Sequence, residues 1–329
     1  MTTDRQIRDV QCRPRLWLWL VFVVLLGPAA AQETIQVELL LSDDSPHYKE
    51  LAGAFQAELS LACANRCPVT PSVRVSQVDD WHPAIHRDLL VAVGNEAALH
   101  AVVSHSPKLL YGLIPQSTWQ VIERLHPSAP GSASAVYLDQ PIDRQFQLLA
   151  VTLPADRRRI GVLLGPESVQ HEDALRETAE LYGMSLVARH VRSLDKVGAA
   201  VEGLTGQIDA LLAVPDSMVF NSDTLYGILL TTYGAGIPVI GYSESLVNAG
   251  AMLAIYTSVP DMGRHLAQIS AAFVLQSGKL PEPGPSRNFE IAVNQNVARS
   301  LGFELPDPVE LRRRLGFEGV SNGAAQAAQ

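Results

Sequence analysis

Residues 208–242 read IDALLAVPDSMVFNSDTLYGILLTTYGAGIPVIGY. The run 208–214 is apolar almost throughout and predicts a buried strand. A polar break follows at Asp216 and Ser217, and 222–233 has the length and composition of a helix. After Gly236 a second short apolar run, 238–242, predicts the next strand. A continuous apolar strand, a crossover helix and another such strand form a parallel β-α-β unit, covered by helices on both faces.

The same rhythm extends in both directions. Upstream, 159–164 and 185–191 predict strands, and 172–182 and 194–204 predict helices. Further upstream, strands are expected at 35–41, 73–78, 89–93, 109–113 and 133–138. Helices are expected at 48–61, 95–103 and from 116 to 125. Ile142, Phe146, Leu149 and Leu153 step by four, three and four, as do Met262, Leu266, Ile269 and Phe273. Such stripes are the core faces of helices. The chain therefore reads as α/β, with two doubly wound parallel-sheet lobes of similar size.

Composition excludes several classes. Of the 329 residues, 47 % are hydrophobic and 18 % charged, too apolar for a disordered chain. Aromatic residues make up 6 % and the net charge is −9, which disfavours a phosphate backbone as partner, so no nucleic acid is expected.

The first residues read as a secretion signal. Arg5, Arg8, Arg13 and Arg15 precede the apolar run LWLWLVFVVLL at 16–26, and Ala29–Ala31 supply a small-residue cleavage site. The run is about half of the roughly 20 residues that span a bilayer, so cleavage after Ala31 is expected rather than an uncleaved anchor. Removing residues 1–31, with four Arg and two Asp, takes the net charge from −9 to −11. The general secretory route would deliver the protein to the periplasm. There Cys63 and Cys67 meet oxidising conditions, and helical spacing brings their Cα atoms to about 6 Å, within reach of a disulfide. The tail 319–329 (GVSNGAAQAAQ) has no apolar periodicity and is expected to be disordered.

Catalytic constellations are incomplete. Neither G-x-G-x-x-G nor a phosphate loop occurs. Gly241-Tyr242-Ser243-Glu244-Ser245 misses a nucleophile elbow at its last position, and His265 falls on the exposed-looking side of its helix. A serine hydrolase is therefore the weakest reading. His82 and His86 stand at i, i+4, but no Glu completes a metalloprotease motif, so two solvated histidines at a helix start are expected and no metal. Neither a catalytic residue nor a cofactor is assigned. The runs 157–159 and 312–314, all Arg, read as solvated surface.

What remains is a binding cleft. In parallel sheets ligands sit beyond the carboxyl ends of the strands. Those ends carry Ser42, Asp43, Asn95, Glu96, Gln116 and Ser117 in the first half, and Asp216, Ser217, Ser243 and Glu244 in the second. Asp216 could accept from an ammonium group, and Asn95, Ser117 and Ser243 could hold a carboxylate or hydroxyl. Each is equally a residue type that caps helices.

From Tyr137 onward the sequence resembles a known family. The stretch Tyr137-Leu138-Asp139-Gln140-Pro141-Ile142-Asp143-Arg144-Gln145, then Ile237-Pro238-Val239-Ile240-Gly241-Tyr242-Ser243-Glu244-Ser245, Asp261-Met262-Gly263-Arg264 and Asn288-Phe289-Glu290, is similar to ABC-transporter substrate-binding proteins of the tryptophan/tyrosine type. The resemblance implies a type I periplasmic binding fold, with two lobes joined by three crossings and closing on a ligand. It implies lobes of 32–138 with 258–285, and of 139–257 with 286–318. It places Asp216 at a ligand-contacting position. Gly94-Asn95-Glu96 stands where relatives carry Gly-Thr-Pro, and Ser134-Ala135 where they carry Thr-Gly, so the first-lobe half of the site is altered. The expected function is a periplasmic solute-binding component of an importer, with a small polar, amino-acid-like ligand and an ABC permease as partners. A sensing module docking on a membrane signalling protein is the alternative.

Overall fold

The computed structural model describes residues 34–316, except 65, 84, 105 and 277. The expected signal segment and the tail 319–329 lie outside the described residues.

The first part of the chain runs β1 (Gln36–Leu41), α1 (Pro46–Cys63), β2 (Ser72–Gln77), β3 (Leu89–Val93), α2 (Asn95–Val102), β4 (Leu109–Ile114), α3 (Gln116–Leu125) and β5 (Ala133–Tyr137). The second part runs α4 (Ile142–Thr152), β6 (Arg159–Leu164), α5 (Glu172–Leu181), β7 (Ser185–His190), α6 (Val197–Glu202), β8 (Ala210–Leu212), α7 (Leu225–Gly234), β9 (Val239–Gly241), α8 (Glu244–Ala249) and β10 (Leu253–Tyr256). The chain then continues through α9 (Val259–Leu275), β11 (Gly284–Pro285), β12 (Glu290–Val293), α10 (Gln295–Ser300) and α11 (Pro308–Arg314).

Two six-stranded sheets result, ordered β11-β5-β4-β3-β1-β2 and β12-β10-β9-β8-β6-β7. Among the described residues all strand pairings are parallel except β10 with β12. Each sheet is buried on both faces. In the first, Leu39, Leu51, Phe55 and Leu266 pack on one side, and Leu40, Trp81, Tyr111 and Trp119 on the other. In the second, Phe146, Val162, Leu175 and Leu311 face Leu163, Val201, Ile228 and Val247 across the sheet. The chain crosses between the sheets three times, around 138–141, 256–258 and 286–289.

The interior carries charge that hydropathy patterning does not disclose. Glu38 lies within the apolar strand β1, and its carboxylate stands 2.7 Å from Arg87 Nε, each side chain 3 % exposed. Ser76 Oγ donates to Glu38 Oε1 at 2.8 Å, and Arg87 Nη2 donates to the His82 carbonyl at 2.9 Å. The guanidinium also lies 5.0 Å from the Trp81 ring. A buried charge is tolerated when paired and hydrogen-bonded in this way. This anchor holds His82, Pro83 and residues 85–87 in a non-helical path after a 3-10 turn at Val78–Asp80. The two histidines are therefore exposed but not at a helix start. Among the described residues no His, Cys, Asp and Glu cluster fits a metal ion.

Other local differences have plain causes. The helix expected at 222–233 begins only at Leu225, because Asn221 Oδ1 accepts from the backbone N–H groups of Asp223 and Thr224 and forms a turn. Cys63 and Cys67 are joined by a disulfide, but α1 ends at Cys63. The chain then tightens, and the Cα atoms are 4.8 Å apart rather than at helical distance.

Helices α1 and α9 pack closely, and Gly263 permits it. A Cβ there would stand 2.5 Å from the Leu51 carbonyl oxygen, a backbone atom that cannot swing aside. Alanine normally improves a helix by about 1 kcal/mol over glycine. At position 263 the clash dominates, so Gly263→Ala is expected to destabilise by about 1–3 kcal/mol, read by denaturant unfolding.

Candidate functional site

At the carboxyl end of β1, Ser42 Oγ donates to the Val93 carbonyl and accepts from the Ala97 backbone N–H, both at 3.0 Å. The serine thereby ties the β1 end to the start of α2. Gly94 sits at φ +91°, and any Cβ on it would collide with Ser42 Oγ and Tyr48 Oη. Tyr48 hydrogen-bonds to Ser42, and burial raises the phenol pKa above its ordinary value. Asp43 Oδ1 accepts from the Ser45 N–H at 2.8 Å and closes a turn. Asn95 and Glu96 are exposed in the first turn of α2.

The backbone N–H of Gln116 donates to Asp139 Oδ2 at 2.6 Å, so a residue of the first crossing caps α3. Burial pushes the Asp139 carboxyl above its usual range, against the lowering effects of that bond and of His171. Ser117 is half-buried beside Gln116.

In the second sheet two loops are stapled reciprocally. Asp216 Oδ2 accepts from the Glu167 N–H, the Ser168 N–H and Ser168 Oγ at 3.0, 3.0 and 2.9 Å. Its Oδ1 accepts from the Met218 N–H at 3.1 Å, and the residue is 3 % exposed. In return, the Glu167 carboxylate accepts from the Ser217 N–H at 3.0 Å and from Ser217 Oγ. Gly165 is required here, since a Cβ would run into the Asp216 carboxylate. Asp216 and Ser217 thus lie together at the β8 end, both already bonded to the loop of Glu167 and Ser168.

A cavity of about 740 Å³ lies where the two sheets face each other. His47 and Glu50 of α1 and Leu113 of β4 line it from one side, and Tyr242, Ser243 and Glu244 from the other. Tyr256, Glu290, Val259 and Arg264 complete it. Tyr256 Oη donates to the Glu244 carboxylate, and burial together with Glu290 and Glu244 raises the phenol. Burial also pushes the Tyr242 phenol up to about 12, helped by Asp216 and Glu167. Glu290 is hydrogen-bonded to Ser258 and Asp261, and burial first and Asp261 second push its carboxyl upward. Asp261 is paired with Arg264, Oδ1 to Nη2 at 2.6 Å.

A smaller cavity of about 310 Å³ lies beside the first crossing, lined by Gln116, Asp139 and His171. Of the ten residues expected from sequence, Ser243 and Glu244 reach the larger cavity and Gln116 the smaller one. Ser42, Asp43, Asn95, Glu96, Ser117, Asp216 and Ser217 line neither.

Ser243 Oγ accepts from the Leu246 N–H at 3.3 Å and caps α8. His265 corrects the expectation of an exposed position. It is 8 % exposed and lines a different cavity, between α9 and the third crossing. Its helix is covered on that face as well, because the chain returning through 281–287 packs over it. The two residues do not form a nucleophile–base pair.

The sequence profile described as ABC transporter substrate binding protein matches residues 84–313. The chain belongs to that family. The tyrosine-binding protein of Clostridioides difficile (strain R20291) is 22 % identical over 249 residues, spanning 73 % of this chain and 69 % of that protein. Among solved structures, the ligand-free, open form of a substrate-binding protein with adhesive properties from Clostridium difficile superposes with a TM-score of 0.67 at 18 % identity, covering 83 % of this chain and 97 % of that one. The ABC domain in complex with L-Trp from Streptococcus pneumonia gives 0.59 at 14 % identity, covering 85 % and 98 %. The fold of this substrate-binding family member is the type I periplasmic binding fold. Among its described residues no helix is long and apolar enough to cross a membrane.

Two outcomes follow from this geometry. Asp216→Ala strands four donors, two of them on the fully buried Ser168, and unliganded protein is expected to lose about 3 kcal/mol, seen as a lower Tm before any ligand is added. His265 is drawn down to about 4, by burial first and the Arg287 cation second. Below pH 6.5 the unfolded chain gains a proton that the folded chain refuses. Stability should therefore fall between pH 6.5 and about 4 by about 3 kcal/mol and then level off. Chemical denaturation across that window should show a flatter profile for His265→Gln.

Proposed function

We propose that the protein is the extracytoplasmic solute-binding component of an ABC importer. In this reading residues 1–31 are a cleaved signal peptide that directs the chain to the periplasm. The lobes are 32–138 with 258–285, and 139–257 with 286–318. They close about a small polar solute carrying an ammonium group, and a permease receives the closed form. No covalent change of the solute is involved.

The observation that carries this reading is the 740 Å³ cavity walled by both sheets, whose size suits a small solute and encloses it from two sides. Its charge balance favours a cation. Glu50 and Glu244 line it from the two lobes, whereas Arg264 is already paired with Asp261. Asp216 is occupied by four backbone and hydroxyl donors, so we assign the ammonium contact to Glu244, held by Tyr256. Charge-assisted hydrogen bonds of this kind are about twice as strong as neutral ones. Closure would remove water from the contact and unite groups from both lobes.

A thermal-shift screen of amino acids, short peptides and organic anions tests the reading. A solute that binds only the folded state at a hundred times its Kd adds about 2.7 kcal/mol of stability. Ammonium-bearing solutes should raise the Tm of the protein lacking residues 1–31, and Glu244→Gln should abolish most of that rise while leaving the unliganded Tm near the wild-type value. A response confined to organic anions, or no response at all, would overturn it.

A further inference from the structure

Among the described residues, Leu113 is the one non-glycine residue with positive φ, at +55°. A leucine is disfavoured there, because its Cβ crowds the backbone. The cause lies in the pairing of β4 with β5. Gly112 pairs with Val136 and Ile114 with Tyr137, so Leu113 is an extra residue without a partner. A bulge of this kind changes which face the following side chains take, and bulges cluster beside functional sites.

The consequence is visible in the packing. In β4, Leu110 packs on the α1 and α9 face, Tyr111 on the α2 and α3 face, and Gly112 again toward α9, where a Cβ would strike Leu266. Strict alternation would send Leu113 to the α2 and α3 face and Ile114 to the α1 and α9 face. The reverse is observed. Ile114 is fully buried with Tyr111 and Trp119, and Leu113 packs at the rim of the α1 and α9 face. From there Leu113 lines the interlobe cavity, opposite Tyr242 and Tyr256. The backbone conformation has no other evident use, since a regular strand would bury Leu113 in the core without strain.

We propose that this strained bulge presents Leu113 as the apolar wall of the ligand cavity, making Leu113 the residue that selects solutes carrying an apolar group beside their charged head. The proposal rests on the reading of that cavity as the solute site and adds a preference to it. Sites in sparsely populated backbone conformations persist where the surroundings over-determine them, and this one is fixed by Ile114 on one side and Gly112 against Leu266 on the other.

The test uses protein lacking residues 1–31 and five probes with one common head: glycine, L-serine, L-leucine, L-tyrosine and L-tryptophan. Titration calorimetry should show at least one of the last three binding about tenfold or more tightly than glycine and serine. Leu113→Gly should lose about tenfold for the apolar probes and less than threefold for glycine. Leu113→Asn, similar in size and tolerant of positive φ, should behave likewise and guards against a folding defect in the glycine variant. In thermal unfolding without ligand, Leu113→Gly should melt no lower than Leu113→Ala, the reverse of the order at an ordinary strand position. A wild-type protein with no apolar preference, or variants that keep it, would overturn the proposal, and so would a glycine variant that melts below the alanine variant. Failure of all five probes also overturns it. The broader solute-binding reading falls only if the wider screen is silent too.

Discussion

Thr257 Oγ1 stands at the point where the three crossings meet. It accepts from Gln140 Nε2 of the first crossing at 2.7 Å and donates to the Asn288 carbonyl of the third at 3.1 Å, while itself belonging to the second. Arg144 extends the chain, donating to Gln140 Oε1 at 2.6 Å and to the Ser286 carbonyl at 3.4 Å, with its guanidinium 4.5 Å from the Phe289 ring. Gln140 and Thr257 are both buried, so these bonds are shielded from water and costly to leave unmade. The arrangement fixes the three connections at one level. The strand ends of the two sheets therefore face each other in a set register, and the larger cavity has walls from both. The closure proposed above would turn about this line, with the flanking crossing residues taking up the change in backbone angles.

Around that junction, many polar groups at the strand ends are engaged with the protein itself. Ser42 bonds two segments of the first lobe, and Asp216 with Glu167 bonds two loops of the second. Such bonds remove the freedom of the loops before any solute arrives. A wall already held in place loses less conformational freedom on binding, which favours affinity. The larger cavity is lined by groups one step further out, on Glu50, Tyr242, Glu244 and Tyr256. The division is physical: a carboxylate in the interior must be satisfied by fixed donors, whereas one at a cavity wall can await a ligand.

The β-α-β rhythm was legible because buried parallel strands are continuous apolar runs. The runs 89–93 and 159–164 coincide with β3 and β6 to the residue. Strands of three residues, such as β8 and β9, read two to four residues too long, since apolar segments extend past the last ladder bond. The strand-end rule located Ser243 and Glu244 at the cavity. It could not separate a residue that caps a loop from one that faces solvent, because Ser, Asp and Asn suit both tasks. Glu38 was hidden for another reason. A single charge in an apolar strand gives no sign of its partner, and Arg87 lies 49 positions away in a loop.

Glu290 shows where the strand-end rule itself needs extension. The chain re-enters the second sheet from the crossing, at the cleft end, so its strand must run away from the cleft. That direction makes β12 the antiparallel edge of an otherwise parallel sheet. Its first residue, not its last, then lies at the cavity, with Tyr256 paired directly opposite. The same entry brings Glu290 against Ser258 and Asp261 at the start of α9, so the second and third crossings are joined by this contact as well as by Thr257. A cavity built from parallel strands thus gains a carboxyl group from an antiparallel strand whose amino end points inward. That acid is bonded to the amino end of α9, which packs on the opposite lobe. The cavity wall it forms is therefore tied to both lobes at once, through the same junction that Thr257 holds.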